Sequence, residues 1–134
     1  MSATEITLGS SDGQSLLRLS RIEPSTHGLS FELSVQFRGL NASTYYALEL
    51  PEFAGFLREL ETMDETLGGS ALMQLHMEET LVRFEMTPLG HVIVTGCLAH
   101  YIEPTYRLEF EFRSDQTFLR PFISALRKAG PSLP

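Results

Sequence analysis

Four histidines, one cysteine and a short alternation of acids and bases are the side chains in this sequence best equipped for chemistry. The histidines are His27, His76, His91 and His100. Metal ligands must project from one face toward one ion, which on a strand favours His-x-His and on a helix His-x-x-x-His. Neither spacing occurs. His91 and His100 are nine residues apart, so an unbroken strand turns them to opposite faces, and the same count separates Cys97 from His100. Cys97 and His91 share a face, but at ~3.3 Å per residue they stand roughly 20 Å apart. A Cys–His dyad would need His76 on a neighbouring strand, and the plainer reading is a small buried cysteine beside a partly exposed histidine. Glu109 and Glu111 fall on one strand face ~7 Å apart, a distance at which two carboxylates can share a metal or divide acid and base roles. Arg107 and Arg113 flank them on that face, so the simpler expectation is a solvated ionic surface paired across strands. Gly-x-Gly-x-x-Gly, Gly-x-x-x-x-Gly-Lys-Ser/Thr and Gly-x-Ser-x-Gly are all missing. The residues therefore assign no catalytic group, no cofactor and no metal.

Charge is the stronger signal. The 134 residues carry 17 acids and 10 bases, a formal charge of −7. Residues 1–67 hold ten acids against four bases, and residues 68–134 seven against six. The stretch 49–65 concentrates Glu49, Glu52, Glu59, Glu61, Asp64 and Glu65 against Arg58 alone. A nucleic-acid binder needs a basic footprint, so that class is set aside. An acidic surface suits a basic protein partner, which it would attract quickly and in a salt-dependent way. Glu52, Glu59, Glu61, Asp64 and Glu65 are the candidate partner-binding residues; the alternative is an idle solvated helix face. A single cysteine excludes an intramolecular disulfide and fits a reducing compartment. The first residues have no basic segment followed by an apolar one, and the longest nearly apolar run, Val92 to Ala99, is far below the ~20 residues that span a bilayer. A cytoplasmic protein without membrane contact is expected.

These residues must be held by something, and most of the chain reads as strand. Ile6 and Leu8 begin it, a turn follows at Ser10–Gly13, and Leu16 to Ile22 comes next. From 29 to 38 the alternation is strict, with Leu29, Phe31, Leu33, Val35 and Phe37 on one face, the mark of a half-buried strand. Thr44 to Leu50 continues it. The period then changes. Pro51 suits a helix start, and Phe53, Phe56, Leu57 and Leu60 form a helical stripe closed by Gly68-Gly69. Met73, Leu75 and Met77, then Val82, Phe84 and Met86, resume the strands. His91 to Ile102 is apolar on both faces, reading as a central strand with a bulge at Gly96. Tyr106, Leu108, Phe110 and Phe112 alternate with charges. Asp115 is an N-cap. Phe118, Leu119, Phe122, Ile123 and Leu126 make the last stripe, with Pro121 predicting a short turn at 116–119 and a regular helix from about Pro121.

Strands then helix, twice, predict a two-layer α+β domain over 1–134: a curled, mostly antiparallel sheet of about eight strands with two helices on one face. An internal duplication with halves 1–67 and 68–134 is suggested by Ser15-Leu16-Leu17-Arg18 against Thr80-Leu81-Val82-Arg83, Thr44-Tyr45-Tyr46 against Thr105-Tyr106-Arg107, and Phe56-Leu57-Arg58 against Phe118-Leu119-Arg120.

The segment Tyr106 to Leu119, with Phe122 and Leu126, resembles the end of WapI-type bacterial immunity proteins. So do the strand–turn–strand from Leu81 to Leu98 and the helix Phe53–Leu60 with its Gly68-Gly69 break, so that the likeness spans about 49–127. The resemblance implies a cytoplasmic protein that neutralises a cognate toxin by stoichiometric binding and has no catalytic residues; a basic toxin would suit the acidity, and a monomer or homodimer is expected. Two alternatives stay open. One is a small-molecule binder or enzyme with a cavity between sheet and helices, drawing on Phe31, Phe37, Phe84, Phe110 and Phe112 with His76, His91 and Tyr101 as polar groups. The other is a structural or regulatory module that self-associates through an edge strand.

Overall fold

Alternation of apolar and polar residues lets a strand bury one face and wet the other, and eight segments of this chain do so. A computed structural model describes residues 5–74, 80–100 and 105–131. The strands are β1 (Ile6–Gly9), β2 (Ser15–Pro24), β3 (Gly28–Phe37), β4 (Leu40–Glu49), β5 (Ser70–Gln74), β6 (Leu81–Met86), β7 (His91–His100) and β8 (Tyr106–Asp115). Helix α1 (Leu50–Thr66) follows β4, and α2 (Gln116–Ala129) follows β8. The fold is α+β, as expected, and every strand pairing is antiparallel. The eight strands form two open sheets, β1-β2-β3-β4 and β5-β6-β7-β8, rather than one. The 17-residue α1 lies between β4 and β5 and carries the chain from one sheet to the other.

The sheets meet through specific bonds. The buried Tyr46 hydroxyl on β4 donates to the Thr80 carbonyl at 3.2 Å, and Tyr106 on β8 donates to the Ser43 carbonyl. At the other end Ser11 N–H donates to the Arg113 carbonyl at 2.8 Å, and Ser114 Oγ to the Gly9 carbonyl at 2.6 Å. Both helices share one core with the inner faces of the sheets: α1 lies against β5 and β3, α2 against β1 and β8. Phe84, fully buried, stands with its ring centre 5.5 Å from Phe56 of α1 and 5.7 Å from Phe122 of α2. The aromatic inner set that could have lined a ligand cavity is largely core, with Phe31, Phe84, Phe110 and Phe112 buried.

Three local expectations are corrected. The register of β7 runs unbroken past Gly96 on both sides, so no bulge lies there. The glycine is needed for space: a Cβ would stand 2.6 Å from Phe110 Cζ and 2.7 Å from the Leu81 carbonyl oxygen. The bulge is in β2, between Ser20 and Glu23, where Arg21 takes φ 51°. Helix α2 begins at Gln116 and runs through Pro121 without a separate turn. Proline removes only one donor there, and the Asp115 carboxylate takes the Thr117 N–H while the buried Leu119, Phe122, Ile123 and Leu126 hold the helix down. Phe118 leaves the stripe and is 44% exposed.

The two halves repeat in pattern, although two of the three sequence pairings are out of phase. Ser15-Leu16-Leu17 and Thr80-Leu81-Val82 share a burial pattern, each starting with a buried hydroxyl. Tyr45 and Tyr106 face oppositely, as do Phe56 and Phe118. The buried helix positions Phe53, Phe56, Leu57 and Leu60 instead match Leu119, Phe122, Ile123 and Leu126 at one offset, 66 residues, which also matches the N-caps Glu49 and Asp115.

Candidate functional site

The stripe Phe53, Phe56, Leu57, Leu60 and Met63 pins one side of α1 in the core, so the acids of 49–65 are forced toward its other sides. Their surroundings differ. Glu52 sits in the first turn, where the N-terminal end of the helix favours a negative charge. It is half-buried, and its Oε1 is buried without a hydrogen-bond partner among the described residues. Glu59 is exposed, and its Oε1 accepts from Leu72 N–H at 3.2 Å, blocking a free donor on the edge of β5. Glu61 and Asp64 are half-buried and turned to α2. Glu61 pairs with Arg127, whose Nε is 3.0 Å from Oε2. Asp64 accepts from Arg120 Nε at 3.1 Å and from Gln116 Nε2 at 3.0 Å. Glu65 is exposed and makes no ion pair among the described residues. The five candidate acids thus divide: Glu61 and Asp64 are neutralised by α2, while Glu52, Glu59 and Glu65 have no cationic partner among the described residues. A groove of about 490 Å³ beside Glu61 has an apolar floor of Leu50, Pro51, Ala54 and Leu57 and a rim of Arg58, Glu61 and Arg127.

The remaining candidates do not converge. Cys97 is buried on the outer face of β7, on the same side as the half-buried His91. His76 and Tyr101 lie outside the described residues. Glu109 and Glu111 are exposed with Arg107 and Arg113, and the Arg107–Glu109 pair, 3.1 Å, runs along β8 rather than across strands. No group of three or more His, Cys, Asp or Glu that could hold a metal occurs among the described residues. No helix there is long and apolar enough to cross a membrane. Asp115 has its carboxyl held below the ordinary range, chiefly by the Thr117 hydroxyl, and the Ser10 hydroxyl does the same to Asp12. Burial raises the Tyr106 phenol. All three fit turns, a cap and the sheet junction.

Arg18 is the residue that sequence reasoning passed over. Its period placed it on the wet face of β2, where an arginine is unremarkable; only the three-dimensional structure shows its buried Nε without a partner among the described residues.

With this geometry in hand, the family can be settled. The model of the Immunity protein WapI-like family matches residues 7–134. The chain belongs to the WapI-like immunity protein family. Membership extends the likeness seen over 49–127 to nearly the whole chain, including the first sheet. No curated protein matches it. A solved chain titled "Crystal structures of trypanosoma bruciei MRP1/MRP2" superposes with a TM-score of 0.55 at 16% identity, covering 95% of this chain and 82% of that one. At that identity the likeness is one of fold alone. The WapI-like assignment implies an immunity function and a toxin protein as partner.

Proposed function

We propose that this protein neutralises a cognate toxin in the bacterial cytoplasm by stoichiometric binding, without catalysing a reaction. The family match over 7–134 carries this reading. The acid-rich α1 supports a basic toxin surface as the counterpart. Glu52 supplies the focus: a buried carboxylate oxygen without a donor is costly, and a toxin lysine or arginine would satisfy it. Glu59 and Glu65 add negative charge elsewhere on the helix, and the groove beside Glu61 offers apolar contact. Glu61 and Asp64 contribute less, since Arg127 and Arg120 already compensate them.

The test is growth of cells expressing a candidate cognate toxin. Wild-type protein should protect them. Reversing Glu52, Glu59 and Glu65 to lysine should weaken protection and slow association of the purified proteins by tenfold or more at low salt. Protection by the wild type with unchanged association of the triple variant would move the interface off α1. Failure of the wild type to protect would sink the proposal.

A further inference from the structure

The outer face of the first sheet, turned away from both helices, is a polar grid with one cation at its centre. Register places Thr7, Arg18, Ser34 and Ser43 in one row across β1 to β4. The row on one side runs Leu16, Gln36 and Asn41; the row on the other runs Ser20, Glu32 and Tyr45. A hollow of about 310 Å³ opens over this grid. Arg18 lines it, half-buried, with a buried Nε that has no hydrogen-bond partner among the described residues. Glu32, the carboxylate nearest in the grid, is paired with Arg21 at 3.6 Å.

The second sheet sets acidic residues around the corresponding arginine, which is exposed. Arg83, at the matching position of Leu81-Val82-Arg83, has Glu85 two residues along its strand. Glu111 lies across Thr95 in the same row. Arg18 has Leu16 and Ser20 along its strand and Thr7 and Ser34 across it. A guanidinium offers five donors in a planar fork, and the buried one, the Arg18 Nε–H, goes without a partner among the described residues, which is costly.

We infer that Arg18 anchors a carboxylate-binding site on the outer face of the first sheet. The fork matches a planar carboxylate bidentately, and the hydroxyls and amides of Ser20, Ser34, Ser43, Gln36 and Asn41 supply further polar contacts for the ligand. The charge count selects a monoanion: one uncommitted cation stands here, and the Glu32 carboxylate would repel a second negative charge. The site is separate from α1 and does not depend on the toxin reading.

The experiment follows the Arg18 Nε–H signal and the Ser34 and Ser43 amides by two-dimensional NMR. The full-length protein is titrated with acetate, with a blocked Gly-Glu-Gly peptide, and with chloride at equal ionic strength. Acetate or peptide should shift these signals saturably, and chloride should not. Arg18→Gln should weaken the response at least tenfold, and Arg18→Lys, which keeps the charge and loses the fork, at least threefold. Saturation by peptide at tenfold lower concentration than acetate assigns the site to an acidic segment of a protein; equal saturation assigns it to a free small acid. Shifts no larger than those with chloride, or an undiminished response in Arg18→Gln, would overturn the inference. Were Arg18→Gln to misfold, the wild-type comparison with chloride and the Arg18→Lys titration would still decide it.

Discussion

Gly96 and Asp115 show what single residues contribute. Gly96 is held by lack of space, since both the Phe110 ring and a backbone oxygen occupy the position of a Cβ. Gly96→Ala should therefore destabilise the protein by about 1–3 kcal/mol in urea melts. Asp115 works through charge. Its carboxyl is more acidic in the folded chain than its ordinary 3.8, because the charged form accepts from the Thr117 hydroxyl and N–H. Its contribution is thus present above the unfolded value and is lost as pH falls through the folded one. Asp115→Asn, which keeps an N-capping side chain, should flatten the acid limb of the stability–pH curve below about pH 4 and leave neutral stability within ~1 kcal/mol. An acid limb identical to wild type would contradict the cap's charge. The sequence announced Asp115, because an aspartate ahead of an apolar stripe is a local signal. It misjudged Gly96, because crowding by a partner strand is not written in its neighbours. Arg18 was invisible for the same reason.

Elements were the most legible scale. Strict alternation at 29–38 and the spacing of Phe53, Phe56, Leu57 and Leu60 disclosed β3 and α1 directly, since each period reports one buried face. Helix α2 was misread at its start because proline was weighed by local propensity, while the cap and four buried side chains outvoted it. The acids of α1 were legible as a charge run but not by task. Which of them meet α2 depends on how the helices cross. The Asp64–Arg120 pair tests that division: single alanine substitutions and the double should give a coupling of about 0.2–1 kcal/mol, as suits a partly exposed pair. No coupling would return Asp64 to the pool of free surface charge.

At the scale of the whole molecule, composition and element order gave α+β and two strand–helix repeats. The division into two sheets was hidden, because strand alternation fixes faces and not which strands become neighbours. Tyr46 and Ser114 join the sheets by hydrogen bonds whose partners lie 34 and 105 residues away in the chain. Function was the least legible from residues alone. No constellation of catalytic type stood out, and the family resemblance, now extended to 7–134, supplied the immunity reading. The acidity becomes informative in that frame. If a basic toxin is the partner, the association rate should fall steeply as salt is raised from low to physiological concentration, with a much smaller change in dissociation. A salt-independent rate would remove the electrostatic part of the account.

The most direct test of stoichiometric neutralisation is a titration of the toxin's own activity with this protein at toxin concentrations well above the dissociation constant. The account predicts a linear fall to zero at a fixed molar equivalence, unchanged by longer incubation. Progressive loss of activity at substoichiometric amounts would mean that the protein acts catalytically on the toxin, and full activity at excess would mean that it does not bind it.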